Sequence, residues 1–501
     1  MEHLLQRLSE LEARVRTLEH ENQTLRDENK QLRDENNALK KRIAELEDAL
    51  KNKADAKTSK KPKFSLNYGV ERNQPEQTER KKRKRRKKST GRVPNARKFE
   101  HPDDSVDIFP DDCSPAQCVL QRQQGAWRLV DGRAKYIRYS IYAPENAKTL
   151  PTIPGIRGNT SEYGIEIIVA LAFLVYWIGI SIDKAREIFE FFTGLALSKG
   201  QADSLLNQLA KDWEKEYAII AAMIVRAAVL YVDETGWKIG KKNCYTWIFS
   251  TLTEVLYKCG VGRGKDVLNE TLGGMFAGTG VSDDYAGYDS AFSEHQLCWA
   301  HPLRKALELM LRNPENKEYR RFSAALFNVY YDAVRLSKDK RLTVGREAKA
   351  EMLERRLRRL CRRHGETIVT EKMVSESKKR DPQSSLSVTS DPEATMIRLQ
   401  NQLYEKSSNM FVFVRNPEVE PTNNRSERQA RPEALARKAS RTSKTDSGAK
   451  RRGVIMTVLA SLNRRLKRFT LSEIVAAVQE SLRNGTALFL PLKMRPPPLE
   501  N

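Results

Sequence analysis

Cysteine is scarce in this 501-residue chain: Cys113, Cys118, Cys244, Cys259, Cys298 and Cys361 are all there is, at irregular spacings. That excludes a disulfide framework and fits a reducing compartment. Acidic residues are in deficit, 65 against 89 Lys and Arg, for a net charge of +24. The excess is clustered, which points to a polyanionic partner whose condensed counterions the cations would release. Membrane-spanning apolar runs are missing too. The uncharged segment Ile167 to Ile182 has 16 residues, bounded by Glu166 and Asp183. As a helix it would extend roughly 24 Å, short of the ~30 Å hydrocarbon core. It reads as a buried helix, so no membrane partner is expected. The densely charged start does not read as a signal peptide, and a cytoplasmic location follows.

What is present begins with a heptad. Leu4, Leu11, Leu18, Leu25, Leu32, Leu39 and Leu46 recur every seven residues, with Leu8, Val15, Asn22, Asn29, Asn36, Ile43 and Leu50 at the alternate core positions. The repeat predicts a left-handed coiled coil over residues 1–50. In a parallel dimer Arg7 would face Glu12, Arg14 Glu19, Glu21 Arg26, Glu28 Arg33, Glu35 Lys40 and Arg42 Glu47. Every pair is opposite in sign, and the core Asn residues favour two strands at a cost in stability, so a parallel homodimer is expected. Over residues 51–100 the pattern dissolves. The adjacent cations Arg80, Lys81, Lys82, Arg83, Lys84, Arg85, Arg86, Lys87 and Lys88 repel one another and predict a disordered basic arm suited to phosphates.

Residues 101–150 form a small region in which Cys113 and Cys118 have ligand-like spacing, with His101 nearby and no second pair. Free thiols are expected there, not zinc. Arg128, Arg133, Tyr136, Arg138, Tyr139 and Tyr142 fit either a DNA-contacting strand or a half-buried sheet face. Residues 155–226 read as helical, with helices at Ser181–Phe192 and Ser198–Trp213 joined around Gly194. That is either a helix-turn-helix or plain helical packing.

From residue 227 the period changes. Ala228–Val232 predicts a buried strand ending at Asp233, Tyr245–Leu252 a second and Val255–Val261 a third, all antiparallel neighbours. Lys265–Phe276 predicts a helix, Gly280–Ser282 a fourth strand ending at Asp283, and helix follows from about Pro302. The order β-β-β-α-β-α with carboxylates ending the first and fourth strands is that of an α/β RNase H-like core. There the two carboxylates would lie side by side, repelling unless divalent cations sit between them. Two metals so held serve in-line phosphoryl displacement. Glu234 is expected on the opposite strand face.

Asp233-Glu234-Thr235, Asp283-Asp284-Tyr285-Ala286-Gly287-Tyr288, Cys298-Trp299-Ala300-His301 and Asn423-Asn424-Arg425-Ser426-Glu427-Arg428 resemble the insertion-sequence-66 family of bacterial transposases. The resemblance runs from about residue 155 to 480 and fits the leading coiled coil. It implies a multidomain protein whose catalytic domain, about 227–480, carries a helical insertion at about 305–410. It implies Asp233, Asp283 and Glu427 as catalytic, metal-binding carboxylates, the pattern of Asp and two Tyr selecting Asp283 over Asp284. It also implies two Mg²⁺ (Mn²⁺ may replace them), double-stranded element ends and target DNA as partners, and a nucleoid-associated protein, with or without accessory proteins. Asn424, three residues before Glu427, is expected to position a phosphate or water; without the resemblance, Glu427 would read as a salt bridge to Arg431.

Further expectations concern the rest of the chain. The insertion should contain basic amphipathic helices at Tyr319–Leu336 and Arg346–Arg363, then a polar loop at Ser375–Asp391. Zinc at Cys298 and His301 would need two more ligands and none is evident, so these read as packing residues bracing the second Asp, and no zinc is expected. Arg431, Arg437, Lys438, Arg441, Lys444, Lys450, Arg451 and Arg452 read as a cationic band able to track DNA backbone, and residues 481–501 as a loose tail. Family members of full length usually carry a cysteine-rich zinc finger ahead of the core, and only Cys113 and Cys118 stand at that position here. The competing reading is a domesticated RNase H-like DNA-binding protein or nuclease without transposition.

Overall fold

The computed structural model describes residues 95–489 except 112, 159–160 and 381–386, and of the first 94 residues Gln23 alone. The heptad segment, the run Arg80 to Lys88 and the end of the chain from 490 lie outside the described residues.

After a short helix α1 (Asn95–Glu100), β1 (Asp104–Ile108), β2 (Val119–Val130) and β3 (Arg133–Ala143) form a sheet in the order β1-β3-β2. Asp131 and Gly132, both at positive φ, close the β2–β3 hairpin, as a two-residue turn between right-twisted strands requires. The basic and aromatic residues of this sheet face inward more than outward. Arg128 pairs with Glu166 at 2.6 Å and bonds the Tyr139 hydroxyl at 2.9 Å, while Tyr136 is buried. Among the alternatives left open by the sequence, this favours the half-buried sheet face. Cys113 and Cys118 form no disulfide, and their sulfurs point to Gln117 Oε1 and the Ser114 carbonyl.

Helix α2 (Ile165–Ala172) runs into a π turn at Phe173–Trp177. The apolar segment is therefore a buried helix, as its length implied, but Gly179 at φ 76° stops it early. Among the described residues no helix is long and apolar enough to cross a membrane. Ser181 caps α3 (Ile182–Thr193), and a capping box of Ser198 with Gln201 starts α4 (Lys199–Val225). Helix α4 is much longer than its sequence pattern suggested, because its later turns bury Ile220 and Ile224 against the second sheet.

That sheet contains β4 (Val229–Ile239), β5 (Lys242–Ser250), β6 (Val255–Val261), β7 (Phe276–Ser282) and β8 (Phe292–Leu297) in the order β6-β5-β4-β7-β8. The first three strands are antiparallel neighbours; β4–β7 and β7–β8 are parallel. Helix α5 (Asp266–Leu272) connects β6 to β7 and is shorter than the expected Lys265–Phe276 because Gly273, in the left-handed region, ends it. Strand β4 does not stop at Asp233. Its pairing with β7 ends at Tyr231, and it continues to Ile239 as one arm of a hairpin with β5.

Helix α6 (Ala300–Arg312) leads into the insertion, α7 (Lys317–Lys338), α8 (Arg346–Leu360), α9 (Glu371–Arg380), α10 (Asp391–Glu405) and α11 (Val412–Arg415). Residues 375–380, expected as loop, belong to α9. The insertion packs around Leu326, Val329, Leu353, Leu357, Met396, Leu399 and Phe413, a core continuous with Tyr231, Val281 and Leu297 of the sheet. Gln296 of β8 ties it to the sheet, donating to the Met410 carbonyl and accepting from Phe413 N–H at 3.0 Å.

The chain returns through α12 (Asn424–Lys438), α13 (Asp446–Arg465) and α14 (Leu471–Asn484). Helix α13 covers the edge strand β6: Thr457 and Ser461 accept its Tyr257 and Val255 N–H groups at 2.9 and 3.0 Å. This satisfies backbone donors that an open edge would offer to other chains. A Cβ at Gly453 would come within 2.8 Å of the Tyr257 carbonyl, so only glycine lets the helix lie so close.

Candidate active site

The parallel pairing of β4 and β7 sets Val229 opposite Thr279, Leu230 opposite Gly280 and Tyr231 opposite Val281. Asp233 and Asp283 each follow the last pair by two residues, past the point where the strands part, and lie close enough for the charge of Asp283 to act on Asp233. Burial and the neighbouring charges of Glu234 and Asp283 push the Asp233 carboxyl up to about 8. Burial, then Glu234, push Asp283 up to about 6 against the opposing pull of Arg263. Asp283 Oδ1 is buried with no hydrogen-bond partner among the described residues. A buried carboxylate oxygen left unbonded is costly and suits a site made for a cation.

Neighbouring acids are engaged elsewhere. Lys406, just past α10, bonds Asp284 at 2.6 Å and Asp289 at 3.3 Å. Glu234 accepts from Arg263 at 2.9 Å and from the Tyr288 hydroxyl, while Arg263 lies over the Tyr285 ring at 4.0 Å. Both tyrosines of the Asp-Asp-Tyr-Ala-Gly-Tyr segment thus hold the Arg263–Glu234 pair in place. Glu234 is not remote from the site, as strand alternation suggested, since its charge acts on both Asp233 and Asp283.

Glu427 lies in the first turn of α12, and its charge also reaches both aspartates. It makes no ion pair with Arg431 among the described residues. Its near neighbours are Cys298 Sγ at 4.0 Å and His301 Nε2 at 3.9 Å. Cys298 and His301 therefore turn their side chains toward Glu427, while the Cys298 N–H bonds the Ser282 carbonyl at 2.9 Å, next to Asp283. Burial pushes the Cys298 thiol up and the His301 imidazole down.

Asn423, which the sequence reading passed over, holds this corner together. It is buried, its Nδ2 donates to the Val232 carbonyl at 2.7 Å, its Oδ1 accepts from Ser426 Oγ, and its N–H reaches Cys298 Sγ at 3.1 Å. One residue thereby fixes the start of α12 to the strand carrying Asp233. Asn424 is exposed. The doubled Asn was the available signal, and burial decides between the two.

The cationic band is broken up. Arg452 is buried in an ion pair with Glu433 at 2.8 Å, Arg451 bonds Asp203 at 2.8 Å and Lys450 pairs with Glu214 at 2.9 Å. Arg431, Arg437 and Lys438 are exposed, and Arg431 lines a shallow groove with Trp177, Ile178, Arg428, Leu435 and Arg441.

No curated protein matches the chain. A family model described as Transposase IS66 family matches residues 161–451, a span that takes in the β4–β8 sheet, the insertion, Asp233, Asp283 and Glu427. With more than half of its length matched, the chain belongs to the IS66 family of transposases.

Proposed function

We propose that this transposase cleaves DNA at the ends of its element and joins the 3′-hydroxyl ends to target DNA, using an RNase H-like core with Asp233, Asp283 and Glu427 as its acidic triad. The observation that carries the reading is the parallel β4–β7 pairing that ends two residues before Asp233 and Asp283, with the charge of Asp283 acting on Asp233 and Asp283 Oδ1 buried and unbonded. The strand order β6-β5-β4-β7-β8 supports the fold reading. Two proton-retaining carboxyls beside a third acid fit divalent cations, whose charge would release those protons. Asp233, Asp283 and Glu427 would hold Mg²⁺ or Mn²⁺, which would activate the attacking oxygen and stabilise the leaving one. Asn423 and the Arg263–Glu234–Tyr288 network keep the acids in place, and Arg431, Arg437 and Lys438 offer cations to DNA backbone beside them. The basic run Arg80 to Lys88 adds non-specific phosphate affinity, and the heptad segment pairs two chains for two element ends.

The experiment is an end-cleavage and joining assay on labelled element DNA with the full chain. Mg²⁺ and Mn²⁺ should support both products, and Ca²⁺ should support DNA binding better than chemistry. Products formed at full yield in excess chelator would remove the metal-dependent reading.

A further inference from the structure

Among the described residues, Cys298, His301 and Glu427 form a group whose ligand atoms all lie within 4.8 Å of one another. We propose that this trio binds one thiophilic divalent cation of the Zn²⁺ class, with a fourth position open to water, and that the bound ion draws Glu427 away from Asp233 and Asp283. The second part rests on the proposed function; the first does not.

The geometry comes from two elements. Cys298 follows β8 and His301 lies in the first turn of α6, while Glu427 arrives on α12. The Sγ–Oε1 and Nε2–Oε1 separations are 4.0 and 3.9 Å. A tetrahedral site with ordinary zinc bond lengths needs about 3.5 Å between ligand atoms, so a small closure completes it. Backbone N–H groups of Asn423, Ala300 and His301 point at the sulfur, against the burial that pushes the thiol up. Such donors favour the anion that binds metal. His301 Nδ1 is buried with no hydrogen-bond partner among the described residues, so the imidazole is not saturated by protein contacts.

The donor set selects the ion. Mg²⁺ demands an octahedral shell of oxygens and has no use for a thiolate. One sulfur, one imidazole nitrogen and one carboxylate oxygen suit Zn²⁺, Co²⁺ or Cd²⁺. Three protein ligands leave one coordination position, as in open zinc sites. Glu427 is then claimed by two centres of different chemistry, and the ion that holds it controls the triad.

The test uses the full chain, stripped with chelator and titrated with Co²⁺. The expected result is a sulfur-to-cobalt charge-transfer band with the visible absorption of a four-coordinate site. The band should vanish in Cys298→Ser and persist when Cys113 and Cys118 are both changed to Ser. His301→Asn should weaken Co²⁺ binding by at least about tenfold. A band that survives Cys298→Ser, or that is lost with Cys113 and Cys118, overturns the site. Since Cys298 is buried, His301→Asn decides the matter if the Ser variant does not fold: unchanged Co²⁺ affinity there refutes the assignment. In the second arm, Zn²⁺ is added to Mg²⁺-dependent cleavage. Inhibition relieved by His301→Asn is expected, and cleavage indifferent to Zn²⁺ contradicts the capture of Glu427. Absence of cleavage under every condition would sink the proposed function, and the cobalt spectrum would still decide whether the trio binds metal.

Discussion

Lys406, at the end of the third long helix of the insertion, donates to Asp284 at 2.6 Å, while the adjacent Asp283 keeps a buried oxygen unbonded. The insertion thus satisfies one acid of the pair and leaves its neighbour for another partner. Both ends of the Lys406–Asp284 bridge are partly exposed, and pairs of that kind contribute ~0.2–1 kcal/mol. Lys406→Met should therefore lower global stability by less than about 1 kcal/mol. Cleavage should fall in part, and to a similar extent in Asp284→Asn, since the bridge also fixes the turn that begins at Asp283. Cleavage at the wild-type rate would show that this anchor is dispensable.

Asn423 and Asn424 should behave in opposite ways. Asn423→Ala takes the amide donor from the buried Val232 carbonyl, while the Ser426 hydroxyl keeps the Asn423 backbone carbonyl as its acceptor. A buried group so orphaned costs about 1–3 kcal/mol. The exposed Asn424 should tolerate Ala within about 0.5 kcal/mol. Denaturant unfolding of the two variants checks this, and a loss at Asn424 equal to that at Asn423 would contradict the placement.

The metal-free protein should lose stability as the solution becomes alkaline. Asp233 holds its proton to about 8 and Asp283 to about 6, against 3.8 for a free carboxyl. A carboxyl raised in the fold stabilises fully below its unfolded value, and that contribution disappears as pH rises through the folded value. His295, lowered to about 4 by burial and Lys406, acts in the reverse direction, losing its contribution as pH falls from about 6.5 to about 4. Above about pH 6.5 Asp233 sets the slope. Asp233→Asn should thus raise apo stability by a few kcal/mol at pH 7, at ~1.4 kcal/mol per pH unit, and match wild type near pH 4. Thermal melts of both proteins from pH 4 to 8 give the comparison; parallel curves would show that Asp233 is not held in its protonated form.

Removing residues 1–50 should convert a dimer into a monomer, as read by light scattering. Neutralising Arg80 to Lys88 should weaken binding to all duplexes alike and flatten the dependence of log affinity on log salt. An unchanged mass removes the coiled coil, and an unchanged slope removes the arm's phosphate contacts.

The strand leading to Asp233 was legible because Val, Leu and Tyr fill Val229 to Val232, whereas the Gly-, Thr- and Ser-rich β7 was legible only at Gly280 to Ser282. Strand β8 was missed because its Glu294, His295 and Gln296 interrupt the apolar pattern of a strand. Gln296 is buried there because the insertion's backbone answers its amide, a contact 114 and 117 residues away in the chain. Distance likewise hid Asp203, 248 residues from Arg451, while Arg452 looked like a surface cation because only the packing of its helix on the preceding one buries it against Glu433. Local pattern also could not show which way Cys298 faces, since Glu427 meets it from 129 residues on. The continuation of β4 past Asp233 was hidden as well, because Gly236 interrupts the pattern and only the hairpin with β5 sustains the strand.

The most direct test is joining of a labelled element end by Asp233→Asn, Asp283→Asn, Glu427→Gln and Asp284→Asn, each run beside a DNA-binding assay. The first three remove a charge from the triad with almost no change in volume. They should abolish cleavage and joining while DNA binding and assembly stay near wild type. Asp284→Asn, whose carboxylate serves Lys406, should retain substantial activity. Normal cleavage by Asp283→Asn with loss in Asp284→Asn would move the second acid by one residue, and full activity in all three triad variants would contradict the site.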